Sequence, residues 1–313
     1  MSKHRPFQFG VNANANARED WVATARMAED LGYYSLLPSD HLGDSFGAIA
    51  ALVSAAEATT SLRLGSYVFG NDFRDPVFLA QEAASIDVLS GGRLDLGMGT
   101  GYAGGDYAQS GVALESPGVR VSRLEEAVQI VKGFFADDPF SFSGDFYNVE
   151  GLNGQLRSVQ RPHPPLMLGG GARRTLSLAA READIVSVNI RTTSEGGFDF
   201  GSISAEAAAQ KIEWVRQAAG ARFDDLTINL LVPLVAVTEN REEAAQAALD
   251  QYGIPSDVLT VEQLLESPSA LIGSIDQIVD TLQERREHYG FSYISIWQPM
   301  EQFAPVVDRL AGK

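Results

Sequence analysis

The chain has 313 residues, 45% of them hydrophobic and 21% charged, which suffices for the core of one large or two small domains. Its formal net charge of −17 argues against a nucleic-acid partner, because a phosphate backbone is bound by clustered lysine and arginine. The absence of cysteine excludes disulfides and thiolate metal sites, and with no apolar leader or membrane-length apolar run we expect a cytoplasmic protein without a membrane partner.

The first half of the chain alternates between short apolar strands and helices with one apolar face. Strands are predicted at 7–11, 33–38, 62–69 and 93–97, and helices near 21–31, 46–59, 76–89 and 119–135. The third helix has the clearest limits, because Pro76 suits a first helical position and Gly91-Gly92 suits a helix end. The pattern breaks between residues 137 and 165, where a hairpin at 141–147 and a proline-rich stretch at 161–165 predict an insertion.

The alternation resumes after this insertion. Strands are predicted at 166–168, 185–190, 226–237 and 292–297, with helices at 173–181, 204–219, 239–251, 274–288 and 302–310. Residues 191–203 lie between the strand at 185–190 and the helix at 204–219. They begin with a stretch rich in glycine, serine and threonine, which predicts a flexible loop that acts as a lid.

Eight strands that alternate with helices predict a single α/β domain, an eight-stranded parallel β/α (TIM) barrel with an insertion before the fifth strand. The alternative is an open, doubly wound sheet. In either fold, ligands bind at the carboxyl ends of the strands, so residues that follow a strand are the candidate site.

Asp40-His41 follows the second predicted strand, where catalytic residues gather in a barrel. The other interpretation is a helix-capping aspartate followed by a surface histidine. The remaining histidines look structural: His4 lies in the tail, His163 in the insertion and His288 in the last turn of a helix.

Two glycine-rich stretches also follow strands. Gly169, Gly170, Gly171, Ala172 and Arg173 join a strand to a helix, where free backbone N–H groups could bind a phosphate. A tight connection without a ligand is the alternative. The run 97–105 would let the backbone approach a flat ligand. The sequence has no motif for zinc or for serine hydrolase chemistry, and we expect no metal.

Several stretches resemble the bacterial-luciferase-like superfamily of flavin- and deazaflavin-dependent enzymes. The most specific are 74–82 and 87–102, followed by 168–171 with 179–184, and by Ser39-Asp40-His41. The Asp-His pair is similar to the branch that uses coenzyme F420, a deazaflavin. The tryptophan and glutamate of that branch's sugar-phosphate dehydrogenase are replaced here by 44–46 and Tyr102, which disfavours a sugar-phosphate substrate.

This resemblance implies a barrel in which Asp40 and His41 face the deazaflavin, with His41 as the catalytic proton-transfer group. It implies a cis peptide bond between Tyr67 and Val68 behind the cofactor ring and a phosphate site at 169–173. The strand end with Gly99, Gly101 and Tyr102 would lie beside the cofactor. The substrate is expected to contact Asn12, Phe73, Tyr102, Asn189 and Trp297.

The resulting hypothesis is an F420-dependent oxidoreductase that transfers a hydride between the deazaflavin and a small organic substrate, in a direction left open. One alternative is a monooxygenase that uses reduced FMN and oxygen. Another is a flavin-binding barrel without catalytic activity. Relatives of this kind are commonly homodimers, which we also expect here.

Overall fold

The computed structural model describes residues 5–193, 196–297 and 299–313. In chain order the strands are β1 (Gln8–Val11), β2 (Ser35–Leu36), β3 (Arg63–Gly65), β4 (Phe69–Gly70), β5 (Leu94–Gly99), β6 (Phe140–Ser143), β7 (Asn148–Leu152), β8 (Leu166–Gly170), β9 (Ile185–Val188), β10 (Arg191–Thr192), β11 (Phe198–Asp199), β12 (Thr227–Val232), β13 (Leu234–Val237), β14 (Ala270–Gly273) and β15 (Phe291–Ile296). The α-helices are α1 (Arg18–Asp30), α2 (Ala48–Ala58), α3 (Pro76–Leu89), α4 (Gly104–Ser110), α5 (Pro117–Phe134), α6 (Arg173–Glu182), α7 (Ala205–Ala219), α8 (Arg241–Gln251), α9 (Val261–Glu266), α10 (Ile275–Tyr289) and α11 (Met300–Leu310). Among these described helices, none has the length and apolar character that crossing a bilayer requires.

Parallel strands close into a barrel at the centre of the described chain. The order is β3-β2-β1-β15-β12-β9-β8-β5-β4, and β3 also pairs with β5, which completes the ring. The closing register places Leu64 opposite Leu94. Because β3 and β4 share one position, eight strand positions form the barrel, and the predicted TIM barrel is confirmed. The open sheet is excluded, since its edge strands would stay unpaired.

Helices pack around the barrel because their apolar faces meet the outward side chains of the strands. The Trp21 indole N–H on α1 donates to the carbonyl oxygen of Ala51 on α2 at 2.8 Å, deep in this layer. Helix α3 begins and ends as the sequence predicts: Asp75 caps it by accepting from the N–H of Val77 at 2.9 Å, and Gly91 beyond its end has a φ of 69°.

The third strand differs from the prediction. Instead of one strand over 62–69, the chain forms β3 and β4, and the residues between them form a bulge that packs against Gly97 and Gly99 of β5. The peptide bond from Tyr67 to Val68 within this bulge is cis, which confirms that expectation. Gly97 and Gly99 of β5 make room for the bulge: a Cβ at Gly97 would overlap the Ser66 carbonyl oxygen, and one at Gly99 would lie 2.5 Å from Val68.

Other elements were not predicted. Helix α4 occupies part of the glycine-rich run, and α9 and β14 lie between α8 and α10, where the sequence pattern was too short to assign. Strand β14 pairs with β13 outside the barrel and shares a separate apolar cluster with α8 and α9. The predicted hairpin in the insertion is present as β6 and β7. Residues 191–203 contain a second hairpin, β10 and β11; their flexibility stays a prediction. His4 lies outside the described residues.

Replacing Gly97 with alanine should destabilise the fold. The new methyl group meets backbone at Ser66, which cannot move as a flexible side chain can, so we expect the free energy of unfolding to fall by roughly 1–3 kcal/mol. Urea denaturation measures this change. Gly105→Ala is the matched control, because no atom lies within 4 Å of its Cβ position and α4 should accept alanine without loss. Equal stability of the two variants would contradict the packing argument.

Candidate functional site

The predicted site residues gather at one end of the barrel, because its strands are parallel and most of these residues follow a strand's carboxyl end. Asn12 follows β1, Asp40 and His41 follow β2, Asn189 follows β9, and Trp297 follows β15. Tyr67 and Val68 lie between β3 and β4, and Phe73 lies in a 3₁₀ turn after β4. Gly99 is the last residue of β5, and residues 100–102 follow it. Residues 169–173 run from the end of β8 to the start of α6.

His41 is held by a carboxylate that the sequence did not reveal. Its Nδ1 lies 2.6 Å from Asp106 Oδ2 on α4, and because a carboxylate only accepts, Nδ1 carries the proton. The other oxygen of Asp106 accepts the Leu42 N–H at 3.2 Å. The opposite nitrogen, Nε2, lies 3.3 Å from the Tyr102 hydroxyl, and the two rings meet edge to face at 5.4 Å. Burial, with the charge of Asp106, raises the pKa of Tyr102. His41 is therefore oriented with Nε2 available for proton transfer.

Asp40 has a different environment, although it precedes His41 in the chain. Arg74 donates to both of its carboxylate oxygens, one from Nη2 at 2.7 Å, and the Gly70 N–H donates at 2.9 Å. The guanidinium of Arg74 also lies 4.9 Å from the centre of the Phe69 ring. Asp40 thus joins the loop after β2 to the end of β4. Its predicted contact with a cofactor remains a prediction.

Tyr67 projects into a polar network inside the barrel. Its hydroxyl lies 2.5 Å from the Ser187 hydroxyl and donates to the amide oxygen of Asn189 at 2.7 Å. Ser187 in turn donates to Asn229 at 2.7 Å, and burial raises the pKa of Tyr67. Because the Asn189 oxygen accepts from Tyr67, the network sets the orientation of a residue predicted to contact substrate.

The glycines and Val68 near the site pack closely. Val68 lies against Gly99, and Tyr107 lies where a side chain on Gly101 would be. Tyr107 donates from its hydroxyl to Asp72 at 2.9 Å and stacks at an angle on Phe73 at 4.9 Å. Contact of Gly99 and Gly101 with a cofactor stays a prediction, but one side of each is occupied by protein.

The start of α6 is suited to an anionic group. Its N-cap residue, Ala172, provides no side-chain hydrogen bond, so the first helical N–H groups are not capped by it. Arg173 is exposed at this helix end. Arg174 is committed elsewhere, since its guanidinium donates to the carbonyl of Gly118 at 2.7 Å and to Ser122 at 2.6 Å. Of the two arginines, Arg173 is thus the better placed for a phosphate.

Asn12 and Trp297 complete the predicted set. The backbone N–H of Asn12 donates to Ile296 at 2.7 Å, whereas its side-chain Oδ1 is buried without a partner in the described part of the chain. A buried acceptor of this kind favours a ligand that donates a hydrogen bond. Trp297 is 40% exposed at the end of β15.

Comparison with known proteins identifies the family. A family model described as luciferase-like monooxygenase matches residues 5–292. The chain belongs to the luciferase-like monooxygenase family. The FMNH(2)-dependent dimethylsulfone monooxygenase of Pseudomonas putida is 28% identical over 182 residues, which cover 58% of this chain and 46% of that protein. An F420-dependent glucose-6-phosphate dehydrogenase of Amycolatopsis mediterranei (strain U-32) is 29% identical over 184 residues, covering 56% and 55%.

The luciferase-like chain spans about half the length of these two curated relatives, so their whole activities are not carried over. Among solved structures, the coenzyme F420 dependent tetrahydromethanopterin reductase of Methanopyrus kandleri superposes with a TM-score of 0.76 at 16% identity, covering 98% of each chain. That identity supports the shared barrel fold alone. The two curated relatives are thus an FMNH(2)-dependent monooxygenase and an F420-dependent dehydrogenase, so the family includes enzymes of both cofactor types.

Lys211 is a further residue near the site that the sequence did not single out. It lies on α7, 5% exposed, and its Nζ donates at 2.7 Å to the carbonyl oxygens of Asn189 and Ser202. It therefore links the end of β9 to the segment after β11. Burial, with the nearby charge of Arg191, lowers the pKa of Lys211 from 10.5 to about 8. A neutral amine keeps two N–H donors, so both contacts survive deprotonation.

This pKa predicts a pH-dependent contribution to stability. Between pH 8 and 10.5 the unfolded chain binds more protons at Lys211 than the native chain does. The free energy of unfolding should therefore rise with pH in this window, by about 1.4 kcal/mol per unit relative to Lys211→Met. Denaturation curves at several pH values measure the difference. Lys211→Arg, which stays charged throughout, is the control, and its free energy of unfolding relative to Lys211→Met should not rise with pH. If the difference between the wild type and Lys211→Met were also independent of pH, the lowered pKa of Lys211 would be refuted.

Proposed function

We propose that this protein is an F420-dependent oxidoreductase that transfers a hydride between the deazaflavin and a small organic substrate. The observation that carries the proposal is His41, whose Nδ1 is fixed by Asp106 while Nε2 meets the Tyr102 hydroxyl. Hydride transfer to or from a carbon bonded to oxygen or nitrogen requires a proton to move as well, and a positioned histidine provides for that. The F420-dependent relative at 29% identity adds support.

The residues present fit a phosphorylated cofactor at the mouth of the barrel. The uncapped start of α6 and the exposed Arg173 would bind its phosphate. Val68 and the adjoining bulge would support its ring, and the orphaned Asn12 Oδ1 provides an acceptor near the same strand ends. When bound, F420 supplies the carbon centre that accepts or releases the hydride.

The protein's own contribution is orientation and proton transfer. Asp106 keeps His41 in one tautomer, so that Nε2 is the nitrogen able to receive or return a proton. Tyr102 donates a hydrogen bond to Nε2, which holds the imidazole until substrate arrives. Asn189, oriented by Tyr67, offers its amide to a polar atom of the substrate.

A monooxygenase that uses reduced FMN is the second candidate. It is favoured by the 28% identity to an FMNH(2)-dependent enzyme over 58% of the chain. Both candidates use a barrel of this family, and they differ in the cofactor bound and in the need for oxygen. Cofactor affinity therefore separates them.

Titration of the purified protein with each cofactor tests the proposal. We expect F420 to bind at least about tenfold more tightly than FMN, as followed by the change in cofactor fluorescence. Arg173→Ala should weaken F420 binding about five- to tenfold through loss of a charge at the phosphate. Tighter binding of FMN, titrated both oxidised and, without oxygen, reduced, would support the monooxygenase, and binding of none of these cofactors would reject both. If Arg173→Ala bound F420 as tightly as the wild type, Arg173 would not contact the cofactor phosphate, and the proposed function would be unaffected.

Replacing His41 with glutamine should lower turnover without preventing cofactor binding. Screening the F420-loaded protein against enones, nitro compounds, imines and alcohols supplies the substrate, and kcat of the variant should then fall about 10²–10⁴-fold, the usual contribution of a general acid or base. His288→Gln is the matched control, since this exposed histidine packs edge to face on Tyr289 at 4.4 Å at the end of α10. A loss of less than about tenfold for His41→Gln would exclude proton transfer by this residue.

A further inference from the structure

A second concavity lies outside the barrel, between the β10–β11 hairpin and the connection that follows α8. We call it the hairpin cleft; Phe198, Phe200, Ile254 and Val258 form its apolar walls, and Arg191 and Thr192 lie at its edge. It is open to solvent and has a volume of about 470 Å³. Pockets that bind small organic ligands have about 300–1,000 Å³, so the cleft has the size of a ligand site.

Several apolar side chains in and beside the hairpin cleft are exposed to solvent. Phe198 and Val258 in its wall are 41% and 43% exposed, and Tyr252 beside it is 40% exposed. Single exposed apolar residues are ordinary, but a group of them around a concavity is typical of a binding site. Covering this surface with an apolar molecule would release water from it, which favours binding.

Aromatic contacts connect the hairpin cleft to His41. The His41 and Tyr102 rings lie 5.4 Å apart, and Tyr102 and Phe198 lie 5.6 Å apart. The run continues from Phe198 to Phe200 at 6.3 Å and from Phe200 to Tyr252 at 6.1 Å. Each distance is within the range of direct aromatic contact. Phe198 therefore has the candidate acid–base pair on one side and the cleft on the other.

The charges at the hairpin cleft cancel. The Arg191 Nε donates to Asp199 at 2.8 Å, and its terminal nitrogen contacts the same oxygen. These are the charged side chains in the described lining of the cleft. The ion pair of Arg191 with Asp199 carries no net charge, so the lining offers an anionic ligand no net attraction. The cleft thus favours a neutral molecule.

We propose that the hairpin cleft binds the apolar part of an uncharged organic substrate whose reactive group lies at His41 and Tyr102. The inference rests on the proposed function, because it places the reactive group at the same histidine. It defines the substrate class as neutral molecules with an aromatic or long aliphatic part. Sugar phosphates and sulfonates are disfavoured.

The test is binding of N-phenyl-1-naphthylamine, a neutral aromatic dye that brightens in apolar sites, to the protein without cofactor. The wild type should bind the dye, and Val258→Glu should weaken binding at least tenfold by placing a charge in the apolar wall. Tyr252→Ala is a second variant with the same expected direction. Val159→Glu is the matched control; this valine is 55% exposed and lies beside Gly92, at the opposite end of the barrel, and its variant should bind as the wild type does.

Competition with neutral enones of increasing chain length extends the test. Each added methylene should improve displacement of the dye about fourfold in the wild type, and this gain should disappear in Val258→Glu. Absence of dye binding, or equal binding by Val258→Glu and the wild type, would overturn the inference. So would a fall in molar mass of Val258→Glu by light scattering without dye binding, since the cleft would then be a contact between two copies. A different result would be a protein that binds neither F420 nor FMN but binds the dye, with binding lost in Val258→Glu. That result would support the hairpin cleft as an apolar binding site and would reject the proposed function.

Discussion

The bulge from Ser66 to Val68 exists because Gly97 and Gly99 leave space for it. The bulge lies over the position where side chains of β5 would otherwise point, and the Ser66 hydroxyl donates to the Gly97 carbonyl oxygen at 2.8 Å. Pairing with β5 resumes at β4, so the ring still closes. Much of the site depends on this contact: it directs Tyr67 toward Ser187 and Asn189, and it brings the Gly70 N–H to Asp40. One close backbone approach therefore sets the positions of residues from three barrel strands.

The barrel could be predicted from the sequence because the patterns that specify its strands and helices are local in the chain. Alternating apolar strands and amphipathic helices repeat along the chain, and α3 carries both its start and stop signals. The interruption of the third strand did not follow from periodicity, which predicts one strand over 62–69; only the family resemblance implied an unusual peptide bond between Tyr67 and Val68. Strand β14 pairs with β13 outside the barrel, so its position does not follow the repeating pattern.

The location of the site was predictable, but the partners of its residues were not. Residues after parallel strands must meet at one end of the barrel, which places His41, Tyr102 and Asn189 there from topology alone. The pairing of His41 with Asp106 joins positions 65 residues apart, and Asp106 lies on a short helix that begins at the end of the glycine-rich run 97–105. Lys211 and Phe198 likewise reach the site from elements whose position in space the sequence does not specify.

Two aspartates flank His41, and their different partners give them different effects on it. Asp40 shares its charge with Arg74 through two hydrogen bonds, so much of its field is cancelled at short range. Asp106 has no arginine among its bonded partners in the described chain; it accepts from His41 and from the N–H of Leu42. The charge that acts on the imidazole is therefore mainly that of Asp106, with its side chain only 10% exposed. This carboxylate contacts Nδ1 and the Leu42 N–H together, so it ties the imidazole to the loop after β2. Asp40 therefore fixes the loop after β2 to β4, whereas Asp106 on α4 fixes the orientation of the His41 ring and leaves Nε2 on the side of Tyr102.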